Sequence, residues 1–179
     1  MSPRRIVAIS GSSAAPSKTT RLTRAIAEAV AAGGAGWSVE SFDLSTLGPA
    51  LGAARGRNDA APELVRAWQA VETADALVVG SPTYKASYSG LLKHFFDLMD
   101  MHALTARPVI VCATARAPAH ALMIDHQFRP LFAFFNASVM PTGIFAVEPD
   151  FAPDGAPGPA LAARIAQAAA EMNHHTRPT

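Results

Sequence analysis

The sequence predicts a doubly wound α/β fold with a five-stranded parallel sheet in the order 2-1-3-4-5, and three observations predict it. Short apolar runs alternate along the chain with longer segments of helical period. Parallel neighbours need crossover connections, and the helices that make them cover both faces of the sheet. At 179 residues, half of them apolar, the chain fits one domain over residues 1–179 with a full core.

The first element, Arg5 to Ser10, is a β-branched apolar run that ends in Gly-Ser. Thr19 to Ala32 follows with Leu22, Ala25, Ile26, Ala29 and Val30 at helical spacing, and Gly33-Gly34 stops it. Trp37 to Phe42 alternates apolar and polar as the second strand. The Gly- and Pro-containing stretch Leu47 to Pro62 reads as a surface loop, ahead of a helix from Glu63 to Thr73. Ala76 to Gly80 is the third strand, Tyr88 to Met101 an apolar helix, Pro108 to Ala113 the fourth strand and Ala119 to Phe135 a further helix. Ser138 to Val147 supplies the fifth strand, interrupted by Pro141 and Gly143. A Pro/Gly/Asp loop from Glu148 to Pro159 leads to an alanine-rich helix, Ala160 to Asn173, and a polar tail that holds His174-His175.

Composition excludes several classes of function. A net charge of +1 provides no basic field for nucleic acid or anionic lipid. The single cysteine, Cys112, lies in an apolar run and reads as a buried small hydrophobe, so neither a disulfide framework nor a zinc site is expected. Met1-Ser2-Pro3-Arg4-Arg5 resembles the start of a leader, but the apolar stretch behind it breaks at Ser10-Gly11-Ser12-Ser13. No segment approaches the length of a membrane span, and a cytoplasmic location is expected.

In such sheets ligands sit at the carboxyl ends of the strands where the winding reverses, here after strands one and three. The first of these loops, Ser10 to Thr20, is crowded with hydroxyls and opens a helix. Backbone N–H groups at a helix start, with the positive end of its dipole, favour an anion that Ser12, Ser17, Thr19 and Thr20 complete, with Lys18 beside them. A single N-cap accounts for Ser17 or Thr19 alone. Neither the P-loop spacing nor the dinucleotide fingerprint G-x-G-x-x-G is present, which favours a mononucleotide. The second loop, Gly80 to Gly90, carries Pro82, Thr83, Tyr84 and Lys85, a proline turn with an aromatic ring suited to a flat ligand.

Pro82, Tyr84, Ser87, Ser89, Gly90, Leu92 and Lys93 stand in the register Pro-x-Tyr-x-x-Ser-x-Ser-Gly-x-Leu-Lys. With the Gly-Ser of the first loop, this pattern resembles the NAD(P)H-dependent FMN reductase family, of flavodoxin-like fold. The likeness runs on through Ala113 to His120 and His126 to Pro130, and it is nearest the reductases that supply reduced FMN to alkanesulfonate and methanesulfonate monooxygenases. The resemblance implies that Ser12, Ser17, Thr19 and Thr20 hold the FMN phosphate with Lys18 close by. It also implies that Pro82, Thr83, Tyr84 and Lys85 line the isoalloxazine, and that Thr114, Ala115 and Arg116 meet its pyrimidine edge. Two positions depart from the family pattern: Ser13-Ala14 lacks the arginine of many relatives, and Ala115-Arg116 replaces a Gly-Gly pair. In the alkanesulfonate-type relatives an inserted tyrosine creates a π-helical bulge at a tetramer interface. His126 aligns there, implying the same bulge with weaker stacking on flavin.

The implied reaction is hydride transfer from nicotinamide to flavin. The cofactors own that chemistry, so no acid, base, nucleophile or metal ligand is demanded of the chain. The greasy helices, with Leu91, Phe95, Leu131 and Phe134, imply a dimer or tetramer, and the resemblance implies a partner monooxygenase. Two other readings use the same fold: a quinone, azo-dye or chromate reductase that retains its FMN, and a non-catalytic electron carrier like flavodoxin.

Overall fold

A computed structural model of the protein describes residues 3–34 and 36–177. Met1 and Ser2, the start of the leader-like segment, lie outside the described residues.

Strand β1 spans Arg4–Ser10, and Ile6, Val7, Ala8 and Ile9 are all buried, as a strand covered on both faces requires. Ser17 caps helix α1, Lys18–Gly33, by accepting the Thr20 N–H on its side chain. Strand β2, Trp37–Asp43, lies parallel to β1 with Ser10 opposite Asp43. Helices α2, Leu44–Ala53, and α3, Pro62–Glu72, precede strand β3, Ala76–Pro82, which pairs with the other side of β1. Helix α4, Gly90–Asp97, leads to strand β4, Pro108–Ala115, and helix α5, Arg129–Phe134, follows. With β5 at Ser138–Val139, the strand order is β2-β1-β3-β4-β5. The fifth lane is split: β5, Ser138–Val139, pairs with the start of β4 and β6, Ile144–Val147, with its end. Pro141 and Gly143 sit in the interval, where proline cannot donate to a ladder. Helix α6, Pro159–His175, takes in His174 and His175, which the sequence places in a polar tail.

The two faces of the sheet carry separate cores. Leu22, Ile26 and Val30 of α1 and Ile165 and Met172 of α6 cover Ile6, Val78 and Ile110. The opposite face packs Val7, Val79 and Val111 against Leu44, Leu51, Trp68, Phe95 and Phe132 of α2 to α5. Among the described residues no helix is long and apolar enough to cross a membrane.

Three expectations are corrected. The stretch read as a loop from Leu47 begins inside α2, which Asp43 caps through the Ser45 N–H, and Leu44, Leu47 and Leu51 bury one face despite Pro49. The apolar helix expected over Tyr88 to Met101 is confined to α4: Ser89 in extended conformation caps its start, and Leu98, whose N–H turns to the Phe96 carbonyl, ends it. The helix expected over Ala119 to Phe135 is broken into a 3₁₀ turn at Pro118–His120, a π-helical turn at Ile124–Phe128 and α5. The Arg129 N–H reaches back to the Ile124 carbonyl, and Pro130 has no N–H to give the His126 carbonyl, so an α-helical ladder here would lack that bond. His126 is exposed at the middle of this turn, where the family resemblance places a bulge.

Candidate functional site

β1 and β3 are neighbours, yet α1 leaves β1 for one face of the sheet while α4 leaves β3 for the other. The carboxyl ends of these strands therefore part around a crevice. The two loops are stitched together at their roots. The Gly11 N–H donates to the Gly80 carbonyl at 2.7 Å, and the buried Ser89 hydroxyl donates to the Gly11 carbonyl at 2.5 Å. The Ser89 N–H in turn donates to Ser81 Oγ at 2.8 Å. Side chains of α1 and β4 pack so closely over Gly80 that a Cβ there would stand 2.5 Å from Thr23 Cγ2 and 2.6 Å from Cys112 Sγ.

Above this junction opens a cleft of about 540 Å³, within the usual range for a small-molecule site. Lys18 lines it, together with Pro82, Thr83, Tyr84 and Lys85 of the second loop and Thr114, Ala115 and Arg116 at the end of β4. Ala146, Val147, Glu148 and Phe151 complete the wall. The Thr83 N–H donates to the Thr114 carbonyl at 2.7 Å, which joins the second and third loops. Tyr84 and Ser87 exchange backbone hydrogen bonds at 2.8 and 3.1 Å around a two-residue turn, with Lys85 at φ 51° and Ala86 at φ 66°. Side chains fix the loop from behind: Thr83 Oγ1 donates to Met123 Sδ, just before the π-helical turn, and Ser87 Oγ to Gln127 Oε1 within it. Tyr84 is half exposed, and its hydroxyl lies 3.1 Å from Ser13 Oγ across the cleft.

The hydroxyls singled out in the first loop are placed differently. Ser12 and Thr19 are buried, and Ser17 and Thr20 half-buried, below the rim at the start of α1. Each has a partner within the protein. Ser12 Oγ donates to the Ala14 carbonyl, Ser17 Oγ caps α1, Thr19 Oγ1 lies 2.6 Å from Thr114 Oγ1, and Thr20 Oγ1 donates to Asp43 Oδ2 at 2.5 Å. With the Thr20 amide capped by Ser17, the amides of Lys18 and Thr19 are the first-turn donors that point out of the helix start. They stand beside the three cations of the cleft, Lys18, Lys85 and Arg116.

Glu148 sets the electrostatics of the rim. Its Oε1 lies 2.6 Å from Lys18 Nζ, and Lys18, with a smaller contribution from Arg116, holds the carboxyl below its ordinary range. Burial pushes the Cys112 thiol far up, which leaves it an inert packing group behind Gly80. Sequence reasoning missed Asp43, Glu148 and Phe151. Asp43 falls one residue beyond the expected second strand, and Glu148 and Phe151 belong to a segment read only as a connection; no local pattern marks any of them.

The residue set fits FMN. A helix start with cations suits a phosphate, and a proline turn with an aromatic ring and apolar walls suits a flat ring system. Residues 4–152 match the family described as NADPH-dependent FMN reductase. The chain is 45% identical over 152 residues to an FMN reductase (NADPH) of Pseudomonas aeruginosa, covering 84% of this chain and 80% of the relative. It is 43% identical over 167 residues to the NADH-dependent FMN reductase SfnF of Pseudomonas fluorescens, covering 93% and 89%. An X-ray structure of an oxidoreductase from Corynebacterium diphtheriae superposes with a TM-score of 0.85 at 38% identity, covering 97% of each chain. With the motif of the second loop, the strand order and the cleft between them in agreement, the chain belongs to the NADPH-dependent FMN reductase family, oxidoreductases that use NAD(P)H and FMN.

Proposed function

We propose that this protein binds FMN as an exchanging substrate, reduces it with NAD(P)H and passes the reduced flavin to a partner flavin-dependent monooxygenase. The observation that carries the reading is the convergence of the start of α1, the loop after β3 and the end of β4 on one cleft with three cations on its wall. When bound, FMN supplies the ring that accepts a hydride from the nicotinamide.

The chain's own residues bind and orient. The amides at the start of α1, with Lys18 and the hydroxyls of Ser12, Ser17 and Thr19, take the phosphate side. Pro82, Thr83, Tyr84 and Lys85 form the wall against the ring and keep water from it. Arg116 and the amides of Thr114 and Ala115 stabilise negative charge on the pyrimidine side of the ring. No general acid or base is assigned, since none is demanded by hydride transfer between two cofactors.

Exchange of FMN, as opposed to its retention, fits the lack of an arginine at Ser13-Ala14 and the histidine at the π-helical turn. Self-association fits the exposed Phe134 and Met101, which rim an apolar groove between α4 and α5. A cytoplasmic location goes with these assignments.

The test is absorbance at the NAD(P)H band with purified protein and added FMN. Saturable oxidation that requires FMN, and protein that leaves gel filtration without stoichiometric flavin, support the reading. Oxidation with neither NADH nor NADPH overturns it. Arg116→Ala lowers turnover with FMN about tenfold or more, as loss of one preorganised charge-stabilising donor does; unchanged turnover removes Arg116 from that role.

A further inference from the structure

Beneath the start of α1 runs a chain of hydrogen bonds whose direction follows from counting hydrogens. A hydroxyl has one hydrogen to donate, and an ionised carboxylate has none. Thr20 gives its hydrogen to Asp43 Oδ2 at 2.5 Å. Ser10 Oγ lies 2.8 Å from Thr20 Oγ1, so Ser10 is the donor of that pair. Ser10 Oγ in turn accepts from the Ser12 N–H at 3.4 Å. The result is a one-way chain, from the Ser12 amide through Ser10 and Thr20 to Asp43.

Asp43 anchors this chain from the end of β2, opposite Ser10 in the sheet register. Its other oxygen, Oδ1, accepts the Ser45 N–H as the cap of α2, and no ion pair among the described residues includes it. A half-buried carboxylate thus stands two hydroxyls away from the backbone of the first loop, and the hydrogens of the Ser12 amide and of the Ser10 and Thr20 hydroxyls run towards it.

We propose that Asp43 is a positioning residue that weakens the grip on FMN phosphate: it withdraws the Thr20 hydroxyl and the Ser12 amide from the anion and sets a negative charge beneath it. The inference rests on the reading above that phosphate binds at the start of α1. It departs at one position from what the family resemblance implies, because Thr20 is then a spectator to the phosphate and not a donor. Hydrogen bonds to charged groups are the strong ones, so redirecting a single hydroxyl has a measurable effect on affinity.

Asp43→Asn is the informative change. The α2 cap requires the amide oxygen on the Ser45 N–H, which turns the NH₂ towards Thr20. Thr20 then accepts, and its hydrogen is free for the helix start. The experiment titrates FMN and riboflavin, the same ring without phosphate, into the apoprotein and follows quenching of flavin fluorescence. The expected results are that the native protein prefers FMN to riboflavin, and that Asp43→Asn binds FMN about tenfold or more tightly with riboflavin affinity unchanged. Thr20→Val leaves FMN affinity as it is, and adding it to Asp43→Asn abolishes the gain. The FMN-over-riboflavin ratio is the readout that a merely structural role of Asp43 would not raise.

An Asp43→Asn protein of native melting temperature with unchanged or weaker FMN binding overturns the proposal and leaves the phosphate reading intact. A loss of about tenfold or more in FMN affinity on Thr20→Val also overturns it, since it makes the hydroxyl a phosphate donor. Equal affinity of the native protein for FMN and riboflavin overturns the phosphate reading itself.

Discussion

The loop that leads from β1 into α1 has its hydroxyls tied to partners inside the protein, whereas the loop from β3 to α4 has its backbone tied and its tip side chains exposed at the cleft. Ser12, Thr19 and Thr20 each meet a protein atom, and Lys18 meets Glu148. Tyr84 and Lys85 stand exposed at the tip of a turn that Thr83 and Ser87 fasten from behind. On the proposed reading, the phosphate end of FMN exchanges partners with the protein on arrival, while the ring meets a wall already in place, an arrangement that suits a flavin that enters and leaves.

Both halves depend on the crossing at Gly80, and that is where the comparison breaks most easily. Gly80→Ala drives a methyl into Thr23 of α1 and Cys112 of β4, neither of which has room to yield in the buried face beneath α1. The expected cost is about 3 kcal/mol of stability, a fall of roughly 6–12 °C in Tm, with loss of flavin binding as α1 is pushed from the sheet. A thermal melt within about 2 °C of the native protein would show that the loops do not rely on this approach.

The turn at the tip of the second loop offers the opposite substitution. Lys85 and Ala86 both take positive φ, where a two-residue hairpin turn usually carries Asn-Gly. An L-residue in this region costs about 1–2 kcal/mol, and glycine loses roughly 0.5–1 kcal/mol in unfolded-state entropy, so Ala86→Gly gains about 0.5 kcal/mol net. Denaturant midpoints check this. A rise with weaker flavin binding would mean that the strained turn serves to present Tyr84 and Lys85, and a fall would mean that the turn is not strained.

The sheet was legible because its strands are continuous apolar runs and because a parallel order leaves few choices once helices alternate with them. Helix α2 was not: Gly48, Pro49 and Gly52 read as breakers, and only burial of Leu44, Leu47 and Leu51 on a prepared surface overrides them. In the cleft, Pro82 to Lys85 and Thr114 to Arg116 were legible because they follow strands directly and the topology carries strand ends to the switch point. The hydroxyls of the first loop were legible as a cluster at a helix start, but their partners were not. Their bonds to Thr114 and Asp43, like that of Lys18 to Glu148, join residues far apart in sequence, which no local pattern encodes.

The smallest effect belongs to that last pair. Glu148 is largely exposed, and its attraction to Lys18 is screened by water and salt. Its carboxyl is nonetheless held below its ordinary value of 4.5, by Lys18 first. A carboxyl lowered by folding adds stability that is present above its ordinary range and lost as pH falls through the lowered value. The melting temperatures of the native protein and Glu148→Gln therefore differ slightly at neutral pH and converge once pH drops below 4.5 through that range. At neutral pH the same variant frees Lys18 for an incoming phosphate, so FMN affinity rises about twofold, and less in high salt. A fall in FMN affinity would instead make Glu148 a direct contact to the flavin, and the first loop would then be less self-contained than its hydrogen bonds indicate.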